Sequence, residues 1–106
     1  MKGVRIIVNR ERKNEFRKKN TKDGKGHPTY IYAREGDKFH YIGLTHAQIT
    51  KGKRNIKLDK NPNPSDSRDA YFIPKSASNK KSSFGKKLKG WGFCDSDKEK
   101  IKKHMK

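Results

Sequence analysis

Two β-rich runs on either side of a glycine turn most constrain what this chain can fold into. Aromatic and aliphatic residues are dense from Thr29 to Leu44 and are interrupted only around Glu35-Gly36-Asp37. A glycine there supplies the positive φ of a tight two-residue turn, whether that turn is Glu35-Gly36 or Gly36-Asp37. The segment is therefore predicted to form a β-hairpin.

The two faces of this hairpin are predicted to differ, because side chains alternate along a strand. The face expected to point to the core carries Ile31, Ala33, His40, Ile42 and Leu44. The other, aromatic face carries Tyr30, Tyr32, Phe39 and Tyr41. Bases of single-stranded nucleic acid stack on such rings, so the three tyrosines are candidate contacts to nucleic acid. The alternative is a second core layer, because a chain with only 28% apolar residues must bury its rings.

The other predicted elements are shorter. Predicted strands lie at Val4–Val8, Ile56–Leu58 and Asp69–Ile73, a short polar helix is predicted at Glu11–Lys19, and Ser76–Ser83 is expected to be linker. Ser96-Asp97-Lys98-Glu99 matches a capping box, which predicts a final helix with Ile101 and Met105 one turn apart.

These elements together predict an α+β fold: a small antiparallel sheet of three or four strands with short flanking helices. A single domain is expected over residues 1–106. Within it, residues 1–28 are alternatively a basic arm that orders on contact with its partner, and residues 75–106 form a basic region that ends in the final helix.

Charge constrains the partner of this chain. Its 29 Lys and Arg face only 11 Asp and Glu, a formal charge of +18. A polyanion offsets such self-repulsion, since neutralised phosphates release condensed counterions. An anionic membrane fits less well, because no apolar run approaches a spanning helix and no segment joins a wide apolar face to a basic one. RNA, or else DNA, is the predicted partner, and an acidic inhibitor or antitoxin protein would suit the same surface.

The location and chemistry of the chain are bounded by two further features. Cys94 is the only cysteine, which excludes an intrachain disulfide and favours a reducing compartment. The stretch Met1–Asn9 is too short and interrupted for the apolar core of a signal peptide. A cytoplasmic protein is expected, and no metal or other cofactor is predicted.

His46 is the first candidate for acid or base chemistry. It follows Gly43-Leu44-Thr45 at the end of a predicted strand, where side chains commonly reach a cleft. RNA cleavage without a metal needs a base, an acid and cations for the phosphorane. Candidate acid or base partners of His46 are His27, His40 and Tyr71. Candidate cations are Lys51, Lys53 and Arg54, and phosphate contacts are also expected from Lys86 and Lys87.

Two resemblances bear on this chemistry. The strings Tyr30-Ile31-Tyr32 and Tyr41-Ile42-Gly43 resemble the paired GIY and YIG strands of a metal-dependent DNA endonuclease family. The first string lacks its glycine, and only Glu99 beyond the hairpin would be left to hold the metal.

The second resemblance covers about residues 27–97. It is carried by His27-Pro28-Thr29-Tyr30, Tyr41-Ile42-Gly43-Leu44-Thr45-His46, Asn61-Pro62-Asn63-Pro64, Asp69-Ala70-Tyr71 and Phe84-Gly85-Lys86-Lys87-Leu88 with Trp91. These strings resemble a family of small basic proteins carried on bacterial mobile elements. The order of elements is also similar to the barnase, EndoU, colicin and RelE-like ribonucleases, which implies a site lined by Thr45, His46, Arg54 and Tyr71.

Two functions therefore stand side by side. One is RNA binding with metal-independent, toxin-like ribonuclease activity. The other is a non-catalytic protein, either ribosome-associated, DNA-binding or a phage-type inhibitor. Convergence of His46 with another histidine, a tyrosine and cations would favour the enzyme, and scattered histidines would favour the binder.

Overall fold

The computed structural model describes residues 10–104, and most of the regular structure in them is β-sheet, with 45% strand and 14% helix. The strands are β1 Arg10–Lys19, β2 His27–Glu35, β3 Lys38–Thr45, β4 Ile49–Thr50, β5 Lys53–Arg54, β6 Ile56–Lys57, β7 Tyr71–Phe72, β8 Ala77–Lys80 and β9 Phe84–Lys87. A 3₁₀ turn spans Lys81–Ser83, and the α-helix of the described part, α1, spans Asp95–His104.

The strands form one curled antiparallel sheet and one separate ribbon. In the sheet the order is β6-β7-β3-β2-β1-β9, and β8 pairs with the first half of β3 while β7 pairs with its end. The sheet curls into a half-barrel. The short strands β4 and β5 pair only with each other, between the end of β3 and the start of β6.

The predicted α+β class with three or four strands is wrong, because the sheet is larger and α1 is the only α-helix of residues 10–104. The main error is Glu11–Lys19, which is strand β1 and not a helix. There Phe16 packs against Tyr30 of β2, with ring centroids 5.2 Å apart. Within the segment proposed as a basic arm, Arg10–Lys19 pairs with β2.

The β2–β3 hairpin is confirmed, and its turn is Gly36-Asp37 with Gly36 at φ +63°. The predicted division of its faces is wrong. Ala33 pairs with His40 but Ile31 pairs with Tyr41, so Tyr32 is an extra residue on β2. Such a β-bulge shifts every later side chain to the opposite face relative to the partner strand.

The bulge divides the core into two clusters on opposite faces of the hairpin. The larger cluster is formed by Phe16, Ile42, Leu44, Leu58, Ala70, Phe72 and Ile101, with Tyr30 and Tyr32 packed against it. The smaller cluster contains Ile31, Phe39 and Phe84, with Tyr41 against it. Ile31 and Ile42 therefore lie on different faces of the hairpin, and the hairpin contributes side chains to the core on both faces.

The C-terminal part departs from its prediction once. Ser76–Ser83 is not linker, because Ala77–Lys80 pairs with β3 and the 3₁₀ turn follows. The final helix is confirmed over Asp95–His104. This helix is too short and polar to cross a membrane, and residues 10–104 contain no helix that could do so. The strand predicted at Val4–Val8 and the residue Met105 lie outside the described residues.

Helix α1 is attached to the sheet through a buried carboxylate. Asp97 is fully buried, and its two oxygens accept hydrogen bonds from the backbone N–H groups of Asp59 at 2.7 Å and Lys60 at 3.0 Å. Lys100 donates to the carbonyl of Lys57 at 3.0 Å. The helix therefore fixes the end of β6, which forms one side of the cleft described next.

Candidate nucleic-acid interface

The β4–β5 ribbon is a tight hairpin whose turn is Lys51-Gly52. Both turn residues have positive φ, +50° and +78°, the combination of a type I′ turn. Asn55 holds the base of the ribbon: its side-chain amide donates to the carbonyl of Ala47 at 3.0 Å and to the Thr50 hydroxyl at 2.7 Å. The ribbon is therefore held at its base while its turn points into solvent.

The ribbon carries unneutralised positive charge. Lys51, Lys53 and Arg54 are exposed, and none of them forms an ion pair with a carboxylate of residues 10–104. Lys51 also adopts a left-handed conformation, which is unfavourable for a side chain of this type. We call Ile49–Arg54 the basic hairpin.

A cleft of about 320 Å³ opens beside the basic hairpin, a volume at the low end of the range for ligand pockets. We call it the basic cleft, and its lining residues are Gln48, Ile49, Arg54, Asn55, Lys57 and Tyr71. The lining contains two cations and no carboxylate. At its rim the Lys57 ammonium lies 3.6 Å from the Asp69 carboxylate, and both side chains are exposed.

Two of the predicted catalytic residues, Arg54 and Tyr71, line this cleft, and Thr45 is a strand neighbour of Tyr71. Tyr71 of β7 is buried and pairs with Thr45 on one side and with Lys57 on the other. Arg54 reaches the same cleft from β5. The Thr45 hydroxyl accepts the backbone N–H of Ala47 at 3.1 Å, so it stabilises the turn that leads into the ribbon.

His46 is turned toward another part of the chain. Its Nδ1 lies 2.8 Å from the carbonyl of Asp69, and its Nε2 lies 3.3 Å from the carboxylate of Asp66. Because the carbonyl of Asp69 can only accept, Nδ1 is the donor in that hydrogen bond. Hydrogen bonds from Arg68 hold the pKa of Asp66 well below its usual range, and the charge of His46 lowers it further. His46 thus fastens the 66–69 loop to the end of β3.

The remaining histidines do not converge on the cleft. The Nε2 of His40 lies 3.1 Å from Glu35 near the hairpin turn, and His104 bonds to the carbonyl of Lys100 on α1. His27 begins β2, and its pKa is lowered chiefly because burial disfavours its charged form. None of the four histidines lines the basic cleft.

The three candidate tyrosines serve as packing residues. Tyr30 lies between Phe16 and Phe93, with centroid distances of 5.2 and 4.8 Å, and burial raises its pKa. Tyr32 packs on the larger cluster, and Tyr41 packs on Phe84 at 5.2 Å. The three rings are thus divided between the two core clusters and do not share one face of the hairpin.

Lys86 and Lys87 are exposed on β9, at the other end of the strand order from β6 and β7. Neither of them lines the basic cleft. Sequence reasoning missed four cleft residues: Gln48, Ile49, Asn55 and Lys57. The available signal was the Lys51-Gly52 pair between β-compatible residues, which predicts a two-residue hairpin turn.

A second cleft, of about 310 Å³, lies in the loop between β6 and β7 and has the opposite charge pattern. Three carboxylates line it, from Asp59, Asp66 and Asp69, together with Lys60 and Arg68. No group of three or more histidine, cysteine or acidic side chains within residues 10–104 is placed to hold a metal ion.

In comparisons with known proteins, no family model, curated protein or solved structure matches the chain.

Proposed function

We propose that this protein binds nucleic acid, RNA in the first place, through the basic hairpin and the basic cleft. The observation that carries the proposal is the set of unpaired cations at Lys51, Lys53 and Arg54, placed on a fixed ribbon beside a cleft with no carboxylate in its lining. Phosphates are bound by such cations, which supply most of the affinity of sequence-independent binding.

The distribution of acidic residues supports this location. Most acidic side chains of the described part form ion pairs with cations outside the basic hairpin. Examples are Glu15 with Arg17 at 2.7 Å and Asp59 with Lys100 at 2.7 Å. Such pairs cancel charge locally, and the excess remains on segments such as the basic hairpin. A phosphate backbone approaching the hairpin therefore meets cations whose charge is not offset by a carboxylate.

The test is a salt titration of a fluorescently labelled single-stranded RNA with wild-type protein and with Lys51→Ala/Lys53→Ala/Arg54→Ala. Each phosphate contact on a single strand contributes a slope of about −0.7 in log affinity against log salt, so the triple variant should lose about 2 units of slope. Fluorescence anisotropy at several salt concentrations measures it.

A matched variant removes the same charge elsewhere: Lys86→Ala/Lys87→Ala/Lys89→Ala, on and just after β9. It should lose clearly less slope than the hairpin variant. Equal losses would mean that binding is spread over the whole surface and that the hairpin is not the site. Wild-type protein that does not bind RNA or DNA at low salt would overturn the proposal altogether.

Metal-independent RNA cleavage is the enzymatic extension of this function. The observation that favours it is that Tyr71, Arg54 and Lys57 share one cleft, so that a phenol and two cations lie together. Labelled RNA should then be cut in the presence of a chelator, and Tyr71→Phe should abolish the cut. RNA that stays intact with the wild-type protein leaves binding alone as the function.

A further inference from the structure

We propose that the basic cleft receives one unpaired base of a single-stranded RNA and prefers adenine to uracil, an inference that rests on the nucleic-acid function proposed above. Duplex RNA hides its base edges in a deep, narrow major groove, whereas unpaired bases can leave the stack and enter a protein pocket. A cleft of about 320 Å³ is of a size for one small ligand and not for a long segment.

The walls of the cleft suit a base between two phosphates. Ile49 is 55% exposed, which makes it the one large hydrophobic side chain among residues 10–104 that is left in solvent. It pairs across the ribbon with Arg54, so an apolar surface and a cation lie side by side. A base covering Ile49 would remove apolar surface from water while Arg54 and Lys57 take the flanking phosphates.

The groups that would read the base are the two amides in the lining. The Asn55 amide nitrogen donates to two acceptors at the base of the ribbon, and one of them, the carbonyl of Ala47, can only accept. The orientation of this amide is thereby fixed, and its oxygen is the atom left to offer a ligand. The fixed oxygen accepts a hydrogen bond from the exocyclic amino group of adenine; uracil can donate only from its ring N3–H, and its single ring covers less of Ile49 than a purine does.

Gln48 completes the pair of reading groups. Its side chain is exposed and makes no hydrogen bond within residues 10–104, while its backbone carbonyl accepts the N–H of Asn55 at 2.8 Å. The Gln48 amide can therefore rotate and donate a hydrogen bond to a ring nitrogen of adenine. That nitrogen lies next to the amino group that donates to the Asn55 oxygen. In major-groove readout a single Asn or Gln amide makes the same donor and acceptor match with adenine, which is here divided between two amides.

The experiment compares two labelled RNAs of about ten nucleotides, a length within the site sizes of single-strand binders, at one salt concentration. One is all uridine, and the other has one central adenosine, so their charge is identical. Wild-type protein should bind the adenosine RNA about tenfold more tightly, as expected for one good amide-to-base match. Gln48→Ala leaves the Asn55 oxygen in place, so it should lower the ratio clearly without reversing it. Asn14→Ala, which removes an exposed amide from β1, should keep it.

The outcomes separate this inference from the function on which it rests. Equal wild-type affinity for the two RNAs, or an equal or higher affinity for a duplex of the same length, overturns the base site but leaves salt-dependent binding in place. A ratio that is unchanged by Gln48→Ala overturns the assignment of Gln48 as a reading group. Absence of binding to every RNA overturns the proposed function itself.

Discussion

Replacing Asp97 with alanine should remove a large part of the stability of this protein. The Asp97 side chain is fully buried, yet its nearest cation, Lys100, lies 3.7 Å away and is not its main partner. Its carboxylate is instead held by the backbone N–H groups of Asp59 and Lys60 and by the Cys94 thiol at 3.2 Å. Alanine leaves all three donors without this acceptor.

The magnitude follows from the two backbone hydrogen bonds. A hydrogen bond to a charged group contributes about 1.5–3 kcal/mol. The low end applies here, because Asp59 and Lys60 are exposed residues whose N–H groups water can reach once the carboxylate is gone. Two such bonds give about 3 kcal/mol, against a total of about 5–15 kcal/mol for a typical domain. Asp97→Ala should therefore cost a substantial fraction of the free energy of unfolding.

Urea unfolding followed by tryptophan fluorescence measures this, because Trp91 packs against the larger core cluster. With a slope of about 1–2 kcal/mol per molar urea, the midpoint should fall by about 2 M. Asp95→Ala is the control: the same residue type in the same helical turn, fully exposed, with Lys98 at 3.9 Å. It should shift the midpoint by less than about 0.5 M. Equal shifts for the two variants would refute the reasoning.

Three further predictions concern single side chains. Lys51→Asn should raise the free energy of unfolding by about 0.5–1 kcal/mol, because Asn-Gly suits a type I′ turn, while weakening RNA binding; a loss of stability would contradict the strained turn. His46→Ala should lower the free energy of unfolding, measured in urea, by about 1 kcal/mol or less and leave RNA affinity near that of the wild type. Loss of RNA cleavage or of RNA binding in this variant would contradict the prediction. His27 has a lowered pKa, so the unfolded chain binds more protons near its ordinary pKa of 6.5. Stability should therefore fall as pH drops from about 7.5 to 5.5, and His27→Gln should flatten that fall; an unchanged profile would exclude the residue.

The hairpin of β2 and β3 could be predicted because its determinants are local. Gly36 supplies the turn, and alternation marks both strands. The bulge at Tyr32 could not, since an extra residue is accommodated by the neighbouring strand: β1 carries its own register shift between Arg12 and Glu15, opposite the bulge. The face on which Tyr30 lies was therefore set by pairing across three strands and not by the pattern of one.

Strand β1 was mistaken for a helix because its apolar content is low in either state. Its one useful signal was charge at alternate positions: Lys13 and Arg17 flank Glu15 on the same face at 3.6 and 2.7 Å. The polar segment before the 3₁₀ turn carried even less signal. Ala77–Lys80 is a strand through backbone pairing with β3, and side-chain patterning does not report backbone pairing.

Some residues of the candidate site could likewise be predicted from local sequence, and others could not. Lys51, Lys53 and Arg54 could be selected from sequence because adjacent charges on a short glycine turn are visible without a fold. His46 was assigned to chemistry because it follows a strand end and precedes several cations. Its hydrogen bond to Asp69, 23 residues away, could not be foreseen, since nothing in the sequence shows that the loop between β6 and β7 returns to the end of β3. Tyr71 reaches the cleft only because β7 is inserted between β3 and β6.

The two kinds of contact proposed for this protein should respond differently to mutation. Lysines far from the hairpin act on a phosphate backbone through the overall field, so changing them alters the association rate and the dependence on salt. Gln48 carries no charge, and removing its amide leaves that field as it was. Discrimination between adenine and uracil should therefore follow the amides of the basic cleft at every salt concentration, while affinity follows the cations. A base preference that vanished together with charge, and not with Gln48, would place recognition outside the cleft.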